Sequence, residues 1–284
     1  MNDMNGLLLK DNMIPINIIY HSSYYFGSYN ITINKDQFIA TKIDCPQSSI
    51  ISKKGFNTVM NEVDYKFIKK DITSHYKKHY KKGKKNILIY GGHSYNIFID
   101  KKYNFKTDIF DGINNCELII LDCCYGSYNN LLSTIVDKTK YVIACETSGP
   151  NLGFMTNKIL DILNSKNDIV DKCKRIIDQF IIRNNATDKL YKKLNYRTDG
   201  VLINMKKYKS AIKLLDTNNI DKQKKCRIED IPTYNFYDMI CLSSDPDFKK
   251  KLKESILYFK MNKLAKEFFK KKKKELHGVS IGIK

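Results

Sequence analysis

Tryptophan is absent from this chain of 284 residues, and histidine is scarce, with five in all. The eight cysteines stand singly apart from Cys123-Cys124, and no two have C-x-x-C spacing. That argues against a zinc knuckle or a dithiol redox centre. No apolar run approaches the roughly 20 residues of a membrane span. The first ten residues hold only the short run Leu7-Leu8-Leu9 and no cleavage pattern, so no signal peptide is read. Internal repeats and Asp-rich calcium loops are also missing. A cytoplasmic protein with reduced thiols is expected. Cys45, Cys116, Cys145, Cys173, Cys226 and Cys241 then read as small buried apolar groups.

What the chain has in excess is positive charge. Fifty Lys and Arg face thirty Asp and Glu, a formal net charge of +20. A charge of that size attracts polyanions at low salt. Yet Asn, Ile and Tyr are abundant beside Lys, the residue set that A/T-biased coding produces. Most of the Lys excess is therefore read as codon usage, and nucleic acid is not the favoured partner. His75 and His79 lie four apart on a helical pattern, a spacing able to bind metal. With no Glu beside His75 and lysines all around, they read as solvated surface, and no metal site is assigned. The run Lys270 to Lys274 reads as a solvated helix end.

Pattern along the chain predicts strands over 15–20 and within 30–44, and a helix over 56–80 that Gly83 ends. Buried strands follow at 86–93, 117–124, 141–146 and 200–205, with helices at 128–136, 154–163, 169–183 and 208–215. Residues 236–242 and 248–269 read as a broken helix and a long helix, the latter started by Asp245 and Pro246. Residues 278–283 read as a last strand. Strand and helix in repeated alternation mean an α/β fold with a mostly parallel central sheet and helices on both faces. Residues 1–13 are a flexible amino-terminal arm. Residues 14–284 are one domain, including a helical carboxyl-terminal part, 226–284.

Two of the apolar runs end on reactive side chains: Asn86-Ile-Leu-Ile-Tyr-Gly-Gly-His93 and Glu117-Leu-Ile-Ile-Leu-Asp-Cys-Cys124. In a parallel sheet both ends project at the carboxyl edge, where open α/β folds put their ligand crevices. An imidazole beside a thiol is the minimum for nucleophilic catalysis, because the imidazole takes the proton and the thiolate attacks. Strand alternation puts Asp122 and Cys124 on one face and Cys123 on the other.

The order of pieces, a His, then Asp-x-Cys on the next strand, then Ala144-Cys-Glu146 followed by Gly149-Pro-Asn-Leu-Gly153, resembles the caspase-like cysteine peptidases, in particular the clostripain-like branch, with metacaspases next. Thr198 to Met205, Tyr234 to Ile240 and His277 to Ile281 extend the likeness downstream. The resemblance implies a caspase–haemoglobinase-like fold and an endopeptidase that works through an acyl-enzyme thioester. Cys124 would be the nucleophile and His93 its partner. The backbone N–H groups of Cys124 and Ser94 would stabilise the oxyanion. That family has Gly after the histidine where this chain has Ser94. Asp122 would sit at the floor of the pocket and select Lys or Arg before the scissile bond, with Glu146 lining the same cleft. No cofactor is implied, although the resemblance allows calcium dependence. A reading from another class is a catalytically silent caspase-like scaffold that binds a polyanion or a protein through its basic surface.

Overall fold

The computed structural model describes residues 16–24, 27–34, 37–43, 47–48, 62–63, 65–91, 108–147, 154, 157–186, 197–215, 227–231 and 234–283. Strands β1 (Ile16–Tyr24), β2 (Gly27–Asn34) and β3 (Gln37–Ile43) form an antiparallel meander. The two-residue strands β4 (Gln47–Ser48) and β5 (Glu62–Val63) pair with each other. Helix α1 (Tyr65–His79) starts nine residues later than the periodicity from Phe56 suggests, and Gly83, with φ +80°, turns the chain beyond it.

Three parallel strands follow, β6 (Lys85–Gly91), β7 (Cys116–Asp122) and β8 (Thr139–Ala144), with helix α2 (Asn129–Ile135) between the last two. After them come α3 (Asn157–Asn164), α4 (Ile169–Ala186), β9 (Asp199–Asn204) and α5 (Met205–Ile212). The central sheet runs β12-β9-β8-β7-β6-β1-β2-β3, where β12 is Ile256–Met261. β1, β6, β7 and β8 are mutually parallel, while β9, β12 and the β2–β3 meander flank them antiparallel. This is the expected α/β architecture, with a parallel centre and antiparallel margins.

The centre reads as continuous apolar sequence because both its faces are covered. Leu88, Tyr90, Ile119, Leu121 and Val142 pack into one layer with α1, α2 and α5. Ile87, Ile89, Leu118, Ile120 and Ile143 pack into the other with α3 and α4. Each fully buried Ile or Leu contributes about 1.5–3 kcal/mol before chain ordering is subtracted.

The carboxyl-terminal part departs from the helical expectation. Residues Arg227–Ile231 (β10), Tyr234–Asp238 (β11) and Ser280–Ile283 (β13) form a small antiparallel sheet. Only Met239–Leu242 (α6) is helical in the first predicted segment. The predicted long helix is two helices, α7 (Pro246–Ser255) and α8 (Lys263–Lys271), with β12 between them. Ile256-Leu-Tyr-Phe-Lys-Met261 is rich in branched and aromatic residues that suit an extended chain, and β9 offers it a free edge. A bulge between Ile256 and Tyr258 shifts its register, which hides the alternation from a sequence pattern. The Asp245 side chain does cap α7, accepting from the N–H of Asp247 and Phe248.

Candidate active site

Strand β6 ends at Gly91, whose register partner is Asp122, the last residue of β7. The two parallel strands leave the sheet at one edge and at one height. His93 and Ser94 follow Gly91 in sequence but lie outside the described residues. Asp122 is buried, at 6% exposure, and Cys124 is half-buried in the turn after it.

That turn, residues 123–127, is tightly fitted. Cys123 points into the layer under α2 and is buried, and burial pushes its thiol well up. Tyr125 holds a φ of +53°, unusual for a residue with a side chain. Its ring stacks on Phe236 of β11, centroids 4.8 Å apart and planes 13° from parallel. A non-glycine residue in the left-handed region persists where its surroundings over-determine it, and such residues cluster at functional sites. Next to it, a Cβ on Gly126 would meet the Leu121 and Ala144 side chains at 3.1 and 3.2 Å, so only glycine lets the turn lie this close to the sheet.

The turn is fastened to the end of β8. The N–H of Tyr125 donates to Thr147 O at 3.0 Å, and the N–H and hydroxyl of Ser127 donate to Cys145 O at 3.0 and 3.1 Å. Cys145 is buried in the opposite layer from Cys123. Burial first, then the charges of Asp199, Asp122 and Cys124, raise its thiol, so those groups share one electrostatic environment.

Glu146 does not line a cleft, contrary to expectation. It is fully buried, and its Oε2 accepts from the N–H of Gly278 at 2.7 Å. Burial, then Asp238 and Asp199, push its carboxyl well above the usual carboxylate range. Asp199, Asp238 and His277 form the rest of this network. No role is assigned to them from sequence, although each lies in one of the segments, Thr198 to Met205, Tyr234 to Ile240 and His277 to Ile281, that extend the resemblance downstream.

Two other expectations change. Cys241 is disulfide-bonded, while Cys116, Cys123, Cys124, Cys145 and Cys173 are thiols. Which cysteines meet depends on tertiary packing and cannot be read from single, scattered positions. His75 is buried and its ring sits 4.6 Å from that of His79, so the pair is not a solvated face. Among the described residues no group of three or more His, Cys, Asp and Glu is arranged to hold a metal ion, and no helix is long and apolar enough to cross a membrane.

No protein-family model matches the chain, and no curated protein does. Solved structures do. An inactive zymogen C11 protease from Parabacteroides distasonis superposes with a TM-score of 0.60 at 12% identity, over 96% of this chain and 83% of that one. A secreted C11 cysteine protease from Bacteroides thetaiotaomicron gives 0.57 at 13% identity, over 93% and 82% of the two chains. A structure of a secreted C11 cysteine protease from the same organism, bound to an irreversible peptide inhibitor, gives 0.57 at 11% identity, over 94% and 82%. At these identities the likeness is one of architecture, and the chain has the caspase-like fold of the C11, clostripain-family cysteine proteases.

Proposed function

We propose that this protein is a cysteine endopeptidase in which Cys124 is the nucleophile and His93 the base. The observation that carries the reading is the parallel register of Gly91 with Asp122. Two residues beyond each member of that pair comes one half of a thiol–imidazole dyad. The strained Tyr125 and the fit of Gly126 against the sheet support it, because both concern the turn that bears Cys124.

His93 takes the Sγ proton of Cys124, and the thiolate attacks the scissile carbonyl carbon. The oxyanion is met by the backbone N–H groups of Cys124 and Ser94. The imidazolium then protonates the leaving amine, which departs and leaves a thioester. His93 next deprotonates a water, whose oxygen attacks the thioester and releases the acid and the thiol. Asp122, the last residue of β7 and two residues before Cys124, selects Lys or Arg before the scissile bond. Its near-complete burial strengthens a charge-assisted contact with such a side chain. A thiol–imidazole pair requires no cofactor, and chelation with and without added calcium tests the calcium dependence that the resemblance allows.

Residues 14–284 act as one peptidase domain, with 1–13 as an arm. The disulfide at Cys241 fits an oxidising compartment better than the cytoplasm expected from sequence.

The silent-scaffold reading draws on one observation. Residues 205–213, 245–255 and 263–275, on or flanking α5, α7 and α8, hold fifteen lysines against five acids, whereas 157–186 on the opposite face hold six basic residues against four acids. A peptidyl-arginine chloromethylketone separates the readings. Covalent labelling of Cys124, lost in Cys124→Ala, is expected. No labelling, together with salt-sensitive binding to nucleic acid, would favour the scaffold.

A further inference from the structure

The turn bearing Cys124 hangs on a segment that is no longer strand. Three hydrogen bonds tie Tyr125 and Ser127 to the carbonyls of Thr147 and Cys145, both past the end of β8 at Ala144. Something must hold residues 145–147 in place for those bonds to set the height of the turn. Two buried carboxyls occupy the positions to do so.

Asp199, the first residue of β9, is fully buried. Its Oδ1 accepts from the N–H of Glu146 at 2.6 Å. Its Oδ2 accepts from the N–H of Thr147 at 3.0 Å and from the Thr147 hydroxyl. Three donors on one carboxyl clamp both peptide groups of the segment. They also suit an ionised acid, against the burial that raises it.

Glu146 holds the segment from the other side. Its Oε2 takes the Gly278 N–H, while its Oε1 is buried with no donor. Asp238 of β11 lies against it, already accepting from the N–H of Cys241 at 2.7 Å and of His277 at 2.6 Å, and facing His277 Nδ1 at 2.9 Å. Burial first, then the neighbouring Asp238 and Asp199, favour the protonated form of Glu146, and a carboxyl in that form has a donor to offer toward Asp238. The groups facing Glu146 are thus Asp199 from β9 and Asp238 from β11. Behind Asp238 stands His277, itself under the charges of Glu275 and Lys253.

We propose that Asp199 and Glu146 are positioning residues for the Cys124 turn, clamping residues 145–147 so that the turn is preset for attack. This rests on the reading of Cys124 as the nucleophile. Neither carboxyl touches substrate, and Glu146 thereby changes from a cleft-lining residue to an internal one. Preset geometry at a nucleophile commonly governs rate, since small displacements are costly.

Three readouts on the full chain test it. The first is the rate at which peptidyl-arginine chloromethylketone labels Cys124. The second is amide hydrogen exchange over residues 121–130. The third is the thermal midpoint. Asp199→Asn and Glu146→Ala are each expected to slow labelling about tenfold and to raise exchange at Tyr125 and Ser127. Glu146→Gln, which keeps a donor toward Asp238, recovers most of the loss. Thr147→Val removes only the hydroxyl bond to Asp199 and, if Asp199→Asn fails to fold, still gives a roughly threefold loss. A purely structural role would lower the thermal midpoint and leave the labelling rate of the folded fraction unchanged. Unaltered exchange in the turn together with unaltered labelling in Asp199→Asn and Glu146→Ala overturns the proposal. If the wild-type chain is not labelled at all, the peptidase reading fails instead, and exchange in the turn alone decides whether the clamp exists.

Discussion

Tyr125 lies flat on Phe236, and this contact joins the turn after Cys124 to β11, a strand more than a hundred residues away in sequence. Tyr128 meets the same ring edge-on, with centroids 6.0 Å apart. A left-handed Tyr125 costs about 1–3 kcal/mol, and aromatic pairs of this kind offset about 0.5–1.5 kcal/mol each. The stack therefore offsets part of the strain locally.

Phe236→Leu keeps a buried apolar side chain and removes both ring contacts. It is expected to lower the unfolding free energy by about 1–2 kcal/mol. Labelling of Cys124 should fall as well, at temperatures where the variant is fully folded. Denaturant titration and labelling rates measured on the same preparation check both, and an unchanged labelling rate would mean that the turn keeps its shape without the stack.

Gly126→Ala isolates the close approach of the turn to the sheet. The added Cβ meets the Leu121 side chain at 3.1 Å and the Ala144 side chain and the Leu121 carbonyl at 3.2 Å each. Neither strand can retreat, because Leu121 and Ala144 are themselves fully buried. A loss of about 1–3 kcal/mol in stability is expected from overpacking. A neutral result in urea titration would show that the loop has slack.

His277 predicts a pH dependence. Its hydrogen bond to Asp238 raises its pKa above the ordinary histidine value, against burial, which lowers it; Asp238 and Glu275 charges add to the rise and Lys253 opposes it. The folded state therefore binds the proton more tightly than the unfolded chain. Its contribution is complete below about pH 6.5, the unfolded histidine value, and is lost as pH rises through the folded value. The thermal midpoint of the wild type should exceed that of His277→Gln most at about pH 6 and less at about pH 9. A gap that widens with rising pH would contradict the assigned pair, and titration of the His277 ring by NMR gives the direction independently.

How much of this is legible in the residues depends on the range of the forces involved. The runs ending at Gly91 and Asp122 declare themselves as buried strands, because a parallel strand covered on both faces must be apolar at every position. The Asp245-Pro246 start of α7 is equally plain, since capping involves only neighbours. β12 is not, because Ile256–Met261 suits a strand only where β9 leaves an edge for it. Glu146 is misread for the same reason. A carboxyl after a strand looks like a cleft residue until Gly278 and Asp238 are found against it.

Sequence alone thus determined the parallel centre of the sheet, the two chain ends that leave it side by side, and the helices that cover it. Each follows from local periodicity and from the need to bury apolar surface. Tertiary structure decided the curvature of the Cys124 turn, the stack on Phe236, the clamp of Asp199 and Glu146 and the bonding of Cys241. Those depend on which distant segments meet, and a buried charge or a strained residue is stable only where partners from elsewhere in the chain complete it.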